Sequence, residues 1–305
     1  MPPLDFDRLR NIRATAPESI PAFVRDRKRR PLLSDAGKLF IVAADHPARG
    51  ALGVGSDQSA MANRYELLER LVLALSRPGV DGVLGTPDII DDLGVLGALD
   101  GKIVVGSMNR GGLKSAVFEM DDRFTAYDIP SVVAANIDFA KLLVRINLAD
   151  PGSVDTIEAT ARAIDQAAAA GVPIMLEPFM SEWHDGSIVN DLSTDAVVKS
   201  VAITSGLGNS SAYSWLKLPV VPEMERVMAA TTMPTLLLGG DPSTSPDETY
   251  ASWGNALALP GVRGLVVGRT LLYPPDGDVA SAVDTAAALV HSAPQHRLTS
   301  TDSLT

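Results

Sequence analysis

Eight short apolar runs alternate with helical segments along this chain, and this alternation restricts the possible folds more than any other feature. The runs occupy residues 39–44, 81–85, 102–106, 141–147, 173–177, 213–219, 234–240 and 262–268. They are continuous rather than alternating, as expected for parallel strands that are buried on both faces. The segment 58–77, where apolar side chains recur at spacings of four and three, is typical of the amphipathic helices between them.

An α/β unit repeated in this way predicts a (β/α)8 TIM barrel, because right-handed crossovers leave few other topologies. An open, doubly wound sheet is the alternative. We expect an N-terminal helical extension at residues 1–35, the barrel domain at 36–293 and a flexible tail at 294–305. Arginine and lysine cluster at residues 25–30, where we expect a solvated basic face.

The composition limits the partners and the compartment. A net charge of -11 argues against nucleic-acid binding, which requires a basic face. The sequence has no Cys, which excludes disulfides and thiol nucleophiles and fits a cytoplasmic protein. No run of eighteen apolar residues occurs, so we expect no membrane span. These features favour a cytoplasmic enzyme with a small-molecule substrate.

One lysine, Lys217, stands inside the apolar run 213–219. Lysine is rarely buried unless it is paired or used chemically. Burial disfavours the ammonium form, so a buried lysine can be partly neutral and nucleophilic near pH 7, as Schiff-base enzymes require. The alternative is an ordinary lysine whose ammonium reaches water at the end of a strand.

Other polar residues fall at the carboxyl ends of the predicted strands, where barrel enzymes place their active sites. They are Asp45, His46, Lys141, Arg145, Asn147 and Glu177. Two lysines and two carboxylates inside an apolar barrel could form a Schiff base and move protons during carbon–carbon cleavage. A buried ion-pair network with a purely structural role is the alternative. We interpret His46, Arg145 and Asn147 as substrate-binding residues.

A second group of residues ends the last two predicted strands, namely Gly239, Gly240, Gly268 and Arg269. Backbone amides exposed by glycine beside a guanidinium form an anion site, and barrels often bind phosphate there. The alternative is that these glycines only close tight turns. The four histidines, His46, His184, His291 and His296, are too scattered to predict a zinc site, so we expect neither a metal nor a cofactor.

Five short motifs together resemble archaeal-type class I fructose-bisphosphate aldolases and tagatose-bisphosphate aldolases over about residues 39–273. They are Ala44-Asp45-His46-Pro47, Lys141-Leu142-Leu143, Leu176-Glu177, Leu216-Lys217-Leu218-Pro219 and residues 264–269. The resemblance implies Lys217 as the Schiff-base lysine and Asp45 as an acid/base residue. The tagatose-type branch implies Lys141 and Glu177 as the assisting pair. Gly239, Gly240, Gly268 and Arg269 would hold the substrate phosphate.

Two positions depart from the fructose-bisphosphate branch. Pro47 replaces the glycine that usually follows Asp-His, and Arg145 and Asn147 stand near the expected site of a tyrosine proton donor. The proton donor and the substrate therefore stay open, and Arg145 could bind a second anionic group of a bisphosphate or of a sugar acid phosphate.

We expect a metal-independent class I aldolase that cleaves a phosphorylated keto sugar or keto sugar acid and that assembles into a homo-oligomer, as the resemblance implies. One alternative is a thiolase-type or other Schiff-base reaction on a phosphorylated dione. The other alternative is a non-catalytic barrel that binds sugar phosphates.

Overall fold

The structure is a computed structural model, and it describes residues 3–33, 37–108, 112–239 and 245–293. The predicted tail and Gly240 lie outside these ranges. The N-terminal extension contains two helices, α1 (Phe6–Thr15) and α2 (Ile20–Arg25), joined by a 3-10 turn at Pro17–Ser19. Asp5 caps α1 by accepting a hydrogen bond from the Arg8 amide at 2.8 Å.

The described residues contain nine strands, and eight of them form a closed parallel barrel. They are β1 (Leu39–Ala43), β2 (Gly82–Gly85), β3 (Ile103–Ser107), β4 (Phe139–Ile146), β5 (Ile174–His184), β6 (Ser187–Asn190), β7 (Ser214–Pro219), β8 (Thr235–Leu238) and β9 (Val262–Val267). The order is β4-β3-β2-β1-β9-β8-β7-β5, and a parallel β4–β5 pairing closes the ring. The predicted TIM barrel is confirmed, and the open sheet is wrong.

Helices follow the barrel strands and cover the outer face. They are α3 (Arg64–Ser76), α4 (Pro87–Val95), α5 (Ile129–Ala134), α6 (Gly152–Ala170), α7 (Thr194–Ser205), α8 (Met224–Ala229), α9 (Pro246–Leu257), α10 (Arg269–Leu272) and α11 (Val279–Ser292). Short helices α8 and α10 were not predicted. Ser245 and Glu248 form a capping box at the start of α9, so local sequence fixes where this helix begins.

An unpredicted hairpin extends above the barrel. Strand β5 runs on to His184 and turns back as the antiparallel strand β6. Asp185 and Gly186 form the turn with φ values of 47° and 77°. Two successive positive φ values match a two-residue hairpin turn, for which Asp-Gly is a preferred sequence.

An apolar layer fills the lower part of the barrel interior. Its buried residues are Leu39, Ile41, Ala43, Leu84, Ile103, Val105, Phe139, Met175, Trp215, Leu236 and Val266. The rings of Phe139 and Trp215 meet edge to face with centroids 5.3 Å apart. Because side chains alternate along a strand, the residue two positions later on each strand also faces inward, one layer nearer the mouth.

The basic cluster at residues 25–30 is not a solvated face throughout, so that expectation is wrong for Arg27. Arg27 is buried, donates to the Val24 carbonyl at 2.9 Å and pairs with Asp138. Arg29 pairs with the other oxygen of Asp138 at 2.8 Å. The buried carboxylate of Asp138, just before β4, therefore pairs with two arginines of the cluster, and one of them, Arg27, is buried with it. Across the described ranges, no helix has the length and apolar character that crossing a membrane demands.

Candidate active site

Four predicted catalytic side chains meet in the layer directly above the apolar interior. Lys141 lies on β4, Glu177 on β5 and Lys217 on β7, while Asp45 follows the end of β1. Each stands two residues after a member of the apolar layer, namely Phe139, Met175, Trp215 and Ala43. All four are buried, with Lys217 only 3% exposed. Strand alternation therefore brings them together, as the sequence predicted.

These side chains form one continuous chain of contacts across the barrel. Lys217 Nζ lies 2.8 Å from Glu177 Oε1, and Lys141 Nζ lies 2.6 Å from Glu177 Oε2. Lys141 Nζ also contacts Asp45 Oδ2 at 2.9 Å. Ser107 Oγ donates to the same Asp45 oxygen at 3.3 Å. Lys141 therefore has two carboxylate partners, whereas Lys217 has one.

This inequality divides the two lysines electrostatically. Burial lowers the pKa of Lys217 and outweighs the opposing attraction of Glu177, while Lys141 lowers it further. Burial alone would also lower the pKa of Lys141, but Asp45 and Glu177 together hold it above the usual range of a lysine. Lys141 is therefore the permanent cation, and Lys217 is the amine that can become neutral.

The two carboxylates stay ionised. Burial would raise the pKa of Glu177, yet Lys141 and Lys217 lower it to about 2. Burial likewise opposes ionisation of Asp45, but the same two lysines hold its pKa below the usual range. Each carboxylate is therefore a weak base, which accepts a proton when a neighbouring ammonium gives up its charge or when the reaction itself makes the donor acidic.

His46 lies beside this chain with an imidazole nitrogen available. Its Nδ1 is 3.8 Å from Asp45 Oδ1 and, in the part of the chain that the structure describes, has no hydrogen-bond partner although it is buried. Burial lowers the pKa of His46 to about 3, against the attraction of Asp45. The imidazole is therefore neutral at physiological pH and can exchange a proton or bind a substrate oxygen.

Arg145 lies on β4 above Lys141, where carboxylates from the connection after β3 surround it. Its Nε and Nη2 donate to Asp122 at 2.8 and 2.7 Å, and its Nη1 donates to Glu119 at 3.1 Å. Glu119 Oε2 also accepts from the Ile188 amide at 3.3 Å on the β5–β6 hairpin. Arg145 thus fastens the connection and, through Glu119, the hairpin over the barrel mouth.

Asn147 lies just beyond β4 and belongs to a separate cavity. Its side-chain oxygen accepts from the Ala149 amide at 2.9 Å. The cavity, of about 450 Å³, is lined also by Asp150, Glu182 and Trp183 and does not include either site lysine. The structure therefore does not bring Asn147 to the lysines.

The predicted phosphate-binding residues end two neighbouring strands. Gly239 follows β8, and Gly268 follows β9 with Arg269 beginning α10. A Cβ on Gly268 would overlap the Ala43 carbonyl, so the ends of β9 and β1 approach closely. Arg269 also lies near enough to His46 to lower its pKa. Gly268 and Arg269 therefore border the site on the side of His46.

Sequence reasoning missed Arg49 and Ser107. Arg49 ends the 3-10 turn Pro47–Arg49. Burial lowers its pKa, and Glu177 and Asp45 lie near enough to oppose this effect. An arginine so soon after Asp45 in a glycine-containing loop was a signal that could have been used. Among the described residues, no group of His, Asp and Glu side chains is arranged to hold a metal.

Residues 37–287 match a family model described as Cgl0159-like. The chain belongs to this family. A crystal structure of Cgl0159 from Corynebacterium glutamicum is 69% identical, covers 94% of this chain and 97% of its own, and superposes with a TM-score of 0.92. No curated protein sequence matches the chain.

Distant solved structures share the barrel. An archaeal fructose 1,6-bisphosphate aldolase is 17% identical, covers 90% of this chain and 99% of its own, and has a TM-score of 0.62. Another archaeal fructose-1,6-bisphosphate aldolase, whose catalytic lysine carries a carbinolamine intermediate, is 18% identical over 89% and 99% with a TM-score of 0.63. The expected structural likeness to archaeal-type Schiff-base aldolases is confirmed at the level of the fold.

Proposed function

We propose that the protein is a metal-independent class I aldolase in which Lys217 forms a Schiff base with a phosphorylated keto sugar or keto sugar acid. The observation that carries this proposal is the unequal pairing of the two buried lysines. Lys217 has one carboxylate partner at 2.8 Å, while Lys141 lies between two carboxylates. The fold shared with Schiff-base aldolases supports the same reading.

Schiff-base formation begins when the neutral amine of Lys217 attacks the ketone carbon and gives a carbinolamine. Loss of water from the carbinolamine gives the iminium, a positively charged electron sink. Glu177 contacts Lys217 directly, so it is placed to transfer protons to and from the carbinolamine. Lys141 stays protonated and keeps both carboxylates ionised until they are used.

Carbon–carbon cleavage follows from the iminium. Asp45 removes the proton of the hydroxyl on the second carbon from the iminium, an aldehyde forms, and the electron pair of the broken bond enters the iminium to give an enamine. Protonation of the enamine and addition of water then release the three-carbon ketone fragment and regenerate Lys217. The water lost in the first stage is returned in the last.

Substrate binding is assigned to the rim residues. Arg269 with the glycines Gly239, Gly240 and Gly268 would hold the phosphate, and the neutral His46 would contact a substrate oxygen. Asn147 and Arg145 stay predictions as substrate contacts. The predicted homo-oligomer also stays a prediction, which light scattering in solution would test.

Trapping with borohydride tests the proposal. The protein is incubated with dihydroxyacetone phosphate or with candidate ketose phosphates and keto sugar acid phosphates, reduced, digested and analysed by mass spectrometry. We expect one adduct, on Lys217, and release of an aldehyde from the longer substrates. Lys199→Met, which changes an exposed lysine of α7, is the matched control and should trap normally.

The alternatives give different results. An adduct on Lys217 without aldehyde release supports another Schiff-base reaction on a phosphorylated substrate. Binding without any adduct supports a sugar-phosphate-binding barrel, and an adduct on Lys141 reverses the assigned roles. Activity should persist in the presence of a chelator, and its loss there would contradict the metal-independent mechanism.

A further inference from the structure

The backbone of Arg49 is fixed at the edge of the candidate site. The Arg49 amide donates to the His46 carbonyl at 3.0 Å within the turn Pro47–Arg49, and Gly50 ends the turn at φ 73°. The Arg49 carbonyl accepts from the Lys114 amide at 2.9 Å, which ties the turn to the connection after β3. Arg49 is therefore held only four residues from Asp45, with little backbone freedom.

Among the described residues, the guanidinium of Arg49 has one hydrogen bond and no ion pair. Its Nε donates to the Gly112 carbonyl at 3.3 Å. Across the described ranges, no carboxylate forms an ion pair with it, although the residue is partly buried. Burial lowers the pKa of Arg49, and Arg145 adds to this effect, whereas Asp122, Glu177 and Asp45 oppose it. A partly buried cation that lies near another arginine is stabilised when an anion pairs with it.

Arg145 was expected to bind a second anionic group, but its guanidinium already makes four hydrogen bonds to Glu119 and Asp122. Arg49 lies nearby, but neither of these carboxylates forms an ion pair with it. The task of binding a second anion therefore passes from Arg145 to Arg49.

Arg49 follows β1, which neighbours β9, but its side chain extends away from β9 toward the connection after β3. Arg49 reaches Gly112, which belongs to the connection after β3, and it lies near Arg145 on β4. In the closed order, β3 and β4 lie opposite β8 and β9, which carry the predicted phosphate-binding residues. The chain of contacts from Lys217 to Asp45 crosses the barrel between these two rims.

We infer that Arg49 binds a second anionic group of the substrate, a carboxylate or a phosphate at the end remote from the phosphate held beside Arg269. The inference rests on the proposed function, which places one end of the substrate beside Arg269 and its ketone at Lys217. It narrows the substrate class to phosphorylated keto sugars that carry negative charge at both ends, and it makes Arg49 a specificity-determining residue.

Unreactive ligands test the inference independently of catalysis. Binding of a hexitol 1-phosphate, a hexitol 1,6-bisphosphate and a six-carbon polyhydroxy acid phosphate is measured by calorimetry. None of these probes carries a ketone, so none can form a Schiff base. A charge-assisted hydrogen bond contributes about 1.5–3 kcal/mol. The wild type should therefore bind one of the two probes with a second anionic group about 10- to 100-fold more tightly than the monophosphate.

Three variants of Arg49 and one control test whether this residue causes the preference. Arg49→Met and Arg49→Gln should reduce the preference to about threefold or less, and Arg49→Lys should retain part of it because it keeps the charge but loses the bidentate geometry. Arg162→Met, on the exposed face of α6, should keep the wild-type preference. Circular dichroism verifies that each variant is folded.

The outcomes separate this inference from the proposed function. The inference is overturned if the wild type binds the monophosphate as tightly as both probes with a second anionic group, or if Arg49→Gln keeps the wild-type preference. Failure of dihydroxyacetone phosphate and of all the candidate ketose phosphates and keto sugar acid phosphates to be trapped on Lys217 overturns the aldolase proposal and leaves the binding result standing. The doubly charged probe that binds more tightly identifies the second group as carboxylate or phosphate.

Discussion

Lys141 and Lys217 donate to opposite oxygens of one carboxylate, that of Glu177, at 2.6 and 2.8 Å. This shared partner couples their titrations. When one lysine loses its proton, the other is left as the only cation beside Glu177, and its own pKa rises. Asp45 then breaks the symmetry by adding a second negative charge on the side of Lys141 alone. The division of roles in the candidate site follows from this one difference.

Replacing Lys217 should remove the nucleophile. We expect Lys217→Met to abolish the borohydride adduct and to lower turnover by at least about 10⁴-fold, the scale of losing a covalent catalyst. Lys141→Met should slow adduct formation while the adduct still appears on Lys217, because its ammonium assists without bonding to substrate. Mass spectrometry of the trapped protein checks both variants, and an adduct in Lys217→Met would contradict the assignment.

Replacing Glu177 should be costly for stability. Glu177→Gln leaves two buried ammonium groups with one fewer counter-charge, and breaking a buried pair in this way costs about 3–5 kcal/mol. Urea unfolding followed by tryptophan fluorescence measures the change. Glu182→Gln, an exposed carboxylate on the β5–β6 hairpin, is the control, and an equal effect in both variants would show that the network contributes little.

The free energy of unfolding should decrease in two stages as the pH is lowered. Burial lowers the pKa of His46 from 6.5 to about 3, so the unfolded chain takes up a proton first and stability falls as pH decreases from 6.5. The lysines lower the pKa of Glu177 from 4.5 to about 2, against the effect of burial, so its contribution is present above pH 4.5 and is lost below it.

His46→Asn isolates the first stage. Between pH 6.5 and 4.5 the free energy of unfolding of this variant should depend less steeply on pH than that of the wild type, by up to about 1.4 kcal/mol per pH unit. Urea midpoints at several pH values in this range measure the slope. His184→Asn, at an exposed site, should keep the wild-type slope, and an unchanged slope in His46→Asn would argue against a buried neutral imidazole.

Arg145→Met should release the connection that it fastens. The buried Glu119 and Asp122 would lose their shared cation, and the expected cost is about 3–5 kcal/mol. Limited proteolysis should then cut residues 112–128 faster than in the wild type. The triple variant that also carries Glu119→Gln and Asp122→Asn should recover part of the stability, because neither position is then a buried carboxylate without its cation. Unchanged proteolysis in Arg145→Met would contradict the anchoring role.

Gly268→Ala should disturb the junction between β9 and β1. Its Cβ would overlap the Ala43 carbonyl, and overpacking of this kind costs about 1–3 kcal/mol. Gly206→Ala, at φ -89° and with the Ile203 carbonyl 3.6 Å from the added Cβ, is the matched control and should be tolerated. Thermal unfolding compares the two, and equal melting temperatures would contradict the close approach.

The strands and the catalytic chain could be predicted because both follow from local regularities. Continuous Val, Leu and Ile runs mark strands buried on two faces, and the period of two along a strand sets which polar residues point inward. Lys217 in an apolar run was ambiguous alone, and it became informative once Glu177, Lys141 and Asp45 were placed at the ends of other strands. Its contacts with Glu177 required only that the strands be adjacent, as the closed barrel makes them.

Other features depended on distant partners. The basic cluster gave no sign that Arg27 would be buried, because its partner Asp138 is more than a hundred residues away in the sequence. The sequence also did not show that Glu119 and Asp122, from an irregular connection, would pair with Arg145. The β5–β6 hairpin was missed although its Asp185-Gly186 turn is a strong local signal.

The apolar layer formed by Phe139, Trp215 and their neighbours closes the barrel beneath Lys217. Water and protons therefore approach Lys217 from the mouth side, where His46 lies. In the proposed reaction, a substrate that fills the mouth would itself exclude water from Lys217. The proton that this reaction needs would then come from the enclosed side chains until the first product leaves.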